Sequence, residues 1–187
     1  MSLLGINILI FVLETISGGS TKTDVAVRFG VQATPFLEEG EYWRLFSAMF
    51  LHFGILHLAC NMLSLYGLGP AIEKIYGRLR FLTIYVLSGL AGNLATWAME
   101  TYTRKYTLSA GASGAIFGII GAYIALFLIP SMRQRLSARW LLSMLGINLV
   151  YGLSTPGINM TAHLGGLLGG AAVATFMIQM IRRKYRM

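Results

Sequence analysis

Apolar residues recur along this chain in six runs, at about 3–17, 46–68, 81–99, 112–129, 139–153 and 160–181. A bilayer crossing takes roughly 17 to 25 such residues, so the first and fifth runs are short. Polar residues collect between the runs, above all from Gly18 to about Leu45, where Lys22, Asp24, Arg28, Glu38, Glu39 and Glu41 interrupt the apolar positions. A mixed stretch of this kind predicts short helices lying on the membrane surface. The pattern therefore predicts an all-α membrane protein, a polytopic bundle of six transmembrane helices. It forms one domain over residues 1–187, with an extended outer first loop at 18–45 and a basic tail at 182–187. No internal repeat is evident.

Composition supports the lipid environment. Charged residues make up only 12% of the chain, against about 25% in soluble domains. The net charge of +8 does not make a nucleic-acid binder, because the long apolar runs leave little room for a folded basic surface. The basic residues instead sort by side. Lys74, Arg78 and Arg80 follow the second run, Arg133, Arg135 and Arg139 the fourth, and Arg182, Arg183, Lys184 and Arg186 form the tail. The opposite side carries Lys22, Arg28, Arg44, Arg104 and Lys105. Positive residues favour the cytoplasm, which places both termini inside, as an even number of spans requires. A bacterial inner membrane suits so small a core. The apolar N-terminus has no Lys or Arg before Leu3, so the first run reads as a retained span rather than a cleaved signal. Its shortness suggests a minimal core without a soluble accessory domain, the alternative being a natural N-terminal extension that this sequence lacks. Cys60 is the single cysteine; no intrachain disulfide can form, and it reads as a small buried hydrophobe.

Polar groups inside membrane spans are costly and point to function. His57 and Asn61 lie at i and i+4 and share one face of the second span. Ser113, in Gly111-Ala112-Ser113-Gly114, stands at the outer end of the fourth, and His163 near the outer end of the sixth. With both termini inside, these three spans run inward, so all three groups belong to the outer half. His57 should then lie about a dozen residues into its span, somewhat deeper than Ser113. A serine and a histidine at shared depth suggest a nucleophile and its base. An imidazole in an apolar bundle stays neutral near pH 7 and can take the serine proton. Glu14 and Glu100 are acidic residues on the outer side, but nothing in their spacing ties them to His163, so a dyad is the simpler reading. Neutral His57 and the Asn61 amide can donate to an oxyanion, together with the backbone N–H of Ser113. Small residues at Gly114, Gly118, Gly121 and Ala125, and at Gly166, Gly170 and Ala174, predict close packing of the fourth span on the sixth.

Taken singly, each feature has a plainer explanation. A serine in a transmembrane helix commonly bonds back to its own helix carbonyl. Glycine stripes serve packing, Asn61 can glue helices, and His52 is a structural or interfacial residue. The three histidines show no H-E-x-x-H spacing, so no metal is expected. The hydrolase elbow G-x-S-x-G also fails, because Ala115 occupies its last position. A transporter using the same polar pocket, or a non-catalytic protein that binds transmembrane clients, remains the alternative class. The coincidence of all three polar positions favours an enzyme.

At these residues the sequence resembles the rhomboid family of intramembrane serine proteases. The likeness runs from about Gly18 to Gly170. It includes Trp43-Arg44, His52-Phe53, His57 with Asn61, Gly111-Ala112-Ser113-Gly114, and Ala162-His163 followed by Gly166 and Gly170. It implies a six-helix core with the serine sunk below the outer surface in a water-filled pocket. By this likeness Ser113 is the nucleophile, His163 the base, and His57 and Asn61 line the oxyanion site. Trp43, Arg44, Gly111, Gly114, Gly166 and Gly170 support the structure or the approach of substrate. The implied substrates are transmembrane protein segments cut near the membrane surface, commonly beside a small residue, and no cofactor takes part. Some bacterial members carry Tyr where this chain has Phe117; the ring still stacks on the catalytic histidine, and only a phenol hydrogen bond is lost. A substrate helix could enter past the fifth span, with the segment from Gly152 to Thr161, containing Pro156 and Gly157, as a mobile cap.

Overall fold

The computed structural model describes residues 2–134, 136–155 and 158–185. Met1, Arg135, Pro156, Gly157, Arg186, Met187 and the side chains of Leu153 and of residues 181–185 lie outside the described residues, so the turn of the expected cap at Pro156-Gly157 and the side chains of the basic tail are not characterised. The helices are α1 (Ser2–Ile16), α2 (Thr23–Phe29), α3 (Thr34–Glu38), α4 (Arg44–Ser47), α5 (Ile55–Tyr76), α6 (Arg78–Thr103), α7 (Ser113–Phe127), α8 (Pro130–Arg133), α9 (Ala138–Ser154) and α10 (Met160–Tyr185). By length and composition α5, α6 and the Met160–Met180 part of α10 can cross a membrane; α1 and α7 are apolar but shorter. No strand occurs among the described residues, only an isolated antiparallel bridge between Gln32 and Ser109.

One predicted span is displaced. Residues 46–54 read as the start of the second apolar run, yet they form the end of α4, a single 3-10 turn (Ala48–Phe50) and a loop. Gly54, at φ +91°, breaks the chain direction immediately before α5. Met49, Phe50 and Leu51 are buried under the loop rather than turned to lipid, which is why hydropathy alone took them for a span. His57 consequently stands in the first turn of α5, not a dozen residues into it. The same shift places Lys74 in the last turn of α5 and Arg78 and Arg80 in the first turn of α6, with Gly77 alone between the two helices.

α7 is the centre of the bundle. Nearly all of its side chains are buried, and it packs most extensively on α10 and α6. The contact with α10 is backbone on backbone: a Cβ added at Gly166 would overlap Gly114 O, one at Gly170 would overlap Gly118, and one at Gly121 would overlap Leu167 O. Small residues allow this approach where lipid supplies no hydrophobic drive between helices. α9 is packed differently. Its contacts are mainly with α5, where Met144 and Trp140 lie against Gly67 and Asn148 donates to Ser64 Oγ at 2.6 Å. Trp140, Leu142, Leu149 and Val150 remain exposed.

The first loop is tied down by buried polar groups. Arg44 pairs with Glu41 at 2.7 Å, donates to Val27 O and Val31 O, and lies over the Phe36 and Trp43 rings. Glu100, at the end of α6, accepts from Thr34 Oγ1 at 2.7 Å and from the backbone and hydroxyl of Thr107 at 3.0 and 2.6 Å. One carboxylate thus joins the loop to the segment leading into Ser113.

Candidate active site

Ser113 is the first residue of α7 and His163 lies in the first turn of α10. The glycine seam holds these two helix ends together, and His163 Nε2 is 2.9 Å from Ser113 Oγ. The opening amides of a helix have no intrahelical acceptor. Ser113 thus stands at the positive end of the α7 dipole, with its backbone N–H among those opening amides. Phe117, one turn along α7, stacks on the His163 ring with centroids 4.2 Å apart and planes at 10°. His163 Nδ1 is buried and has no hydrogen-bond partner among the described residues. The carboxylates of Glu100 and Glu14 are engaged elsewhere: Glu100 with Thr34 and Thr107, and Glu14 with the backbone N–H of His52 at 3.2 Å.

Both side chains open into a cavity of about 90 Å³ lined also by His57, Asn93, Tyr151 and Asn159. His57 reaches it from the first turn of α5. Gly111, at φ +130°, passes directly beneath the His57 ring: a Cβ there would lie 2.8 Å from Cε1 and Nε2. Only glycine suits this position on both counts, since an L side chain is strained at that φ and would strike the ring. Gly111 is fixed in turn by its N–H bond to Ala48 O at 2.9 Å.

Asn61 is bonded back to its own helix. It lies one turn farther along α5, buried, and its Nδ2 donates to His57 O at 2.9 Å. It does not line the cavity. The structure brings Ser113, His163 and His57 to one cavity and leaves Asn61 behind His57. His52 is buried in the loop before α5, its ring edge-on to His57 at 5.1 Å. Burial, reinforced by nearby His57, pushes its pKa down to about 3, so it forms an uncharged wall. Trp43 and Arg44 stand in the first loop, away from the cavity lining.

Asn159 was missed by the sequence reading. Its Oδ1 accepts the Ala162 N–H at 3.0 Å, while Nδ2 donates to Thr96 Oγ1 and Ser109 Oγ at 2.9 and 3.1 Å. It caps α10 and ties the helix start that carries His163 to α6 and to the approach to Ser113. An Asn just before an apolar helical run is a legible capping signal. Tyr151 was also missed. It stacks on His57 from α9, and no sequence pattern predicts that pairing.

A protein-family model for the Rhomboid domain matches residues 39–180. The chain is 41% identical over 169 residues to Rhomboid protease GluP of Bacillus subtilis, covering 89% of this chain and 32% of that protein. It is 35% identical over 147 residues to YdcA of the same species, covering 78% and 72%. RHOMBOID-like protein 5 of Arabidopsis thaliana is 36% identical over 146 residues, covering 76% and 46%. The chain thus spans about a third of GluP and under half of the plant protein.

Proposed function

This chain belongs to the rhomboid family and is an integral membrane protein; on that premise we propose that it is an intramembrane serine endopeptidase cutting transmembrane segments of other membrane proteins. The observation that carries the proposal is the 2.9 Å contact between Ser113 Oγ and His163 Nε2 inside a cavity. In this reading α1, α5, α6, α7, α9 and α10 are the six spans of a single domain, and both termini face the cytoplasm of a bacterial inner membrane. Lys74, Arg78, Arg80, Arg133 and Arg139 stand at helix ends opposite the cavity, as the positive-inside bias requires.

The chemistry follows from the geometry. His163 Nε2 accepts the Ser113 proton as Oγ attacks the scissile carbonyl, forming the C–O bond and placing negative charge on the carbonyl oxygen. The Ser113 N–H and the His57 ring stabilise that oxyanion. Collapse breaks the C–N bond, the amine leaves with the proton from His163, and the acyl ester remains on Ser113. Water then attacks the ester, with His163 again taking a proton, which it returns to Ser113 Oγ as the ester C–O bond breaks and the carboxylic acid product leaves. Phe117 keeps the imidazole in plane, a dyad arrangement in which no carboxylate is called upon. Gly114, Gly166 and Gly170 maintain the helix approach, Gly111 leaves room for the His57 ring, and Asn61 supports His57 from behind. Trp43 and Arg44 serve the loop structure.

α7 helps to explain how a peptide bond is reached within a membrane. Its 15 residues rise about 22 Å, less than the roughly 30 Å hydrocarbon core. With its C-terminal end at the inner face, its N-terminal serine lies below the outer surface. A substrate helix enters past α9, which packs mainly on α5 and little on the central α7, and unwinds at Ser113, favouring a cut beside a small residue.

Labelling of the purified protein with a serine-reactive fluorophosphonate tests the proposal. Wild type should be modified at Ser113, while Ser113→Ala and His163→Ala should lose both labelling and cleavage of a transmembrane peptide. Full cleavage by Ser113→Ala would overturn it.

A further inference from the structure

The His57 ring forms no hydrogen bond through either nitrogen to any described residue. An oxyanion donor is effective only when its orientation is fixed before the charge develops, so packing must do the fixing here. Three walls enclose the ring. Gly111 lies under it, too close for any side chain, and His52 meets it edge-on at 5.1 Å. The third wall is Tyr151, in an offset stack with centroids 5.9 Å apart and planes at 24°.

These walls are not equally anchored. Gly111 is held by Ala48 O, and the His52 backbone N–H by the buried Glu14. Tyr151 rides on α9, whose described contacts are chiefly with α5 and whose outer face is exposed. We infer that Tyr151 is a positioning residue for the oxyanion site, its ring holding His57 in the donating orientation so that the seating of α9 completes the site. The inference rests on the protease reading above and deepens it. The ring makes the stack and the hydroxyl does not, which separates this role from acid–base chemistry at Tyr151. A site completed by a helix that substrate must pass is a form of induced fit: donors are aligned only once α9 has returned.

The test uses wild type, Y151F, Y151A, H57A and the double variant H57A/Y151A in proteoliposomes. The substrate is a quenched fluorogenic transmembrane peptide that wild type cleaves, with kcat and KM measured separately and Ser113 labelling by fluorophosphonate run in parallel. Y151A should lower kcat about tenfold or more with KM little changed, the scale of misplacing one donor. Y151F should keep kcat within about threefold of wild type, because an aromatic ring is retained. In the H57A background, Y151A should cause no further loss, since its partner is gone. A kcat for Y151A within twofold of wild type, equal damage from Y151F, or a full additional loss in the double variant would each overturn the inference and leave the dyad standing. Absence of both labelling and cleavage in wild type would remove the protease reading and this inference with it.

Discussion

The two sides of the bundle are built on opposite principles. Where α7 meets α10, glycine lies on backbone and no side chain intervenes, so the helices cannot separate without losing the contact outright. Where α9 meets α5, the described contacts include one side-chain hydrogen bond and the long side chains of Trp140 and Met144 against Gly67. Leu141 is buried as well, while Leu142, Leu149 and Val150 on the opposite face are exposed. The first side carries Ser113 and His163, the pair of the proposed dyad, whose proposed reaction would tolerate little displacement. The second carries Tyr151 and the proposed route of a substrate helix. On the proposed reading, rigidity is placed at the bond-making atoms and compliance at the entrance, within one sheath of helices.

That contrast can be broken from the rigid side first. Gly170→Leu forces a side chain into Gly118 and should destabilise the protein by about 3 kcal/mol or more, measured by unfolding in detergent micelles, with loss of Ser113 labelling. Near wild-type stability would show that the seam is less tight than its backbone contacts state. On the compliant side, a disulfide between Ser64→Cys and Asn148→Cys, in a Cys60→Ala background, should fasten α9 to α5. Cleavage of a transmembrane peptide should then fall to near background and return on reduction, while the small fluorophosphonate still reaches Ser113. Undiminished cleavage in the oxidised state would rule out entry past α9. The smallest effect belongs to Asn148→Ala. Interhelical hydrogen bonds in membranes contribute about 0.6 kcal/mol on average, so a minor loss of stability with labelling intact is expected. A loss matching that of Gly170→Leu would erase the distinction between the two sides.

Much of the rigid side was legible in the sequence. The glycine and alanine spacing in 114–125 and 166–174 marks a packing stripe on each helix. Placing those stripes face to face brings the starts of both helices together, and with them Ser113 and His163. The start of α5 was not legible, because hydropathy cannot separate apolar residues that face lipid from those that face protein, as Met49, Phe50 and Leu51 do. The position of Asn61 depended on that start. Its place behind His57, rather than at the cavity, follows from the helix register and from its bond to the His57 carbonyl. Tyr151 and the Asn148–Ser64 bond were beyond reach, since both pair residues more than eighty positions apart through a helix whose sequence carries no stripe. The role of Glu100 was concealed for a related reason: a buried carboxylate shows its partners, Thr34 and Thr107, only after the loop has closed on it.

A seam made of main chain has a thermal consequence. Side-chain interfaces soften gradually on warming as rotamers become accessible, whereas glycine against a carbonyl offers no rotamers to populate. On heating or in a harsh detergent, therefore, the distance between hydroxyl and imidazole should hold almost to the point of global collapse, and the outlying helix should loosen well before it.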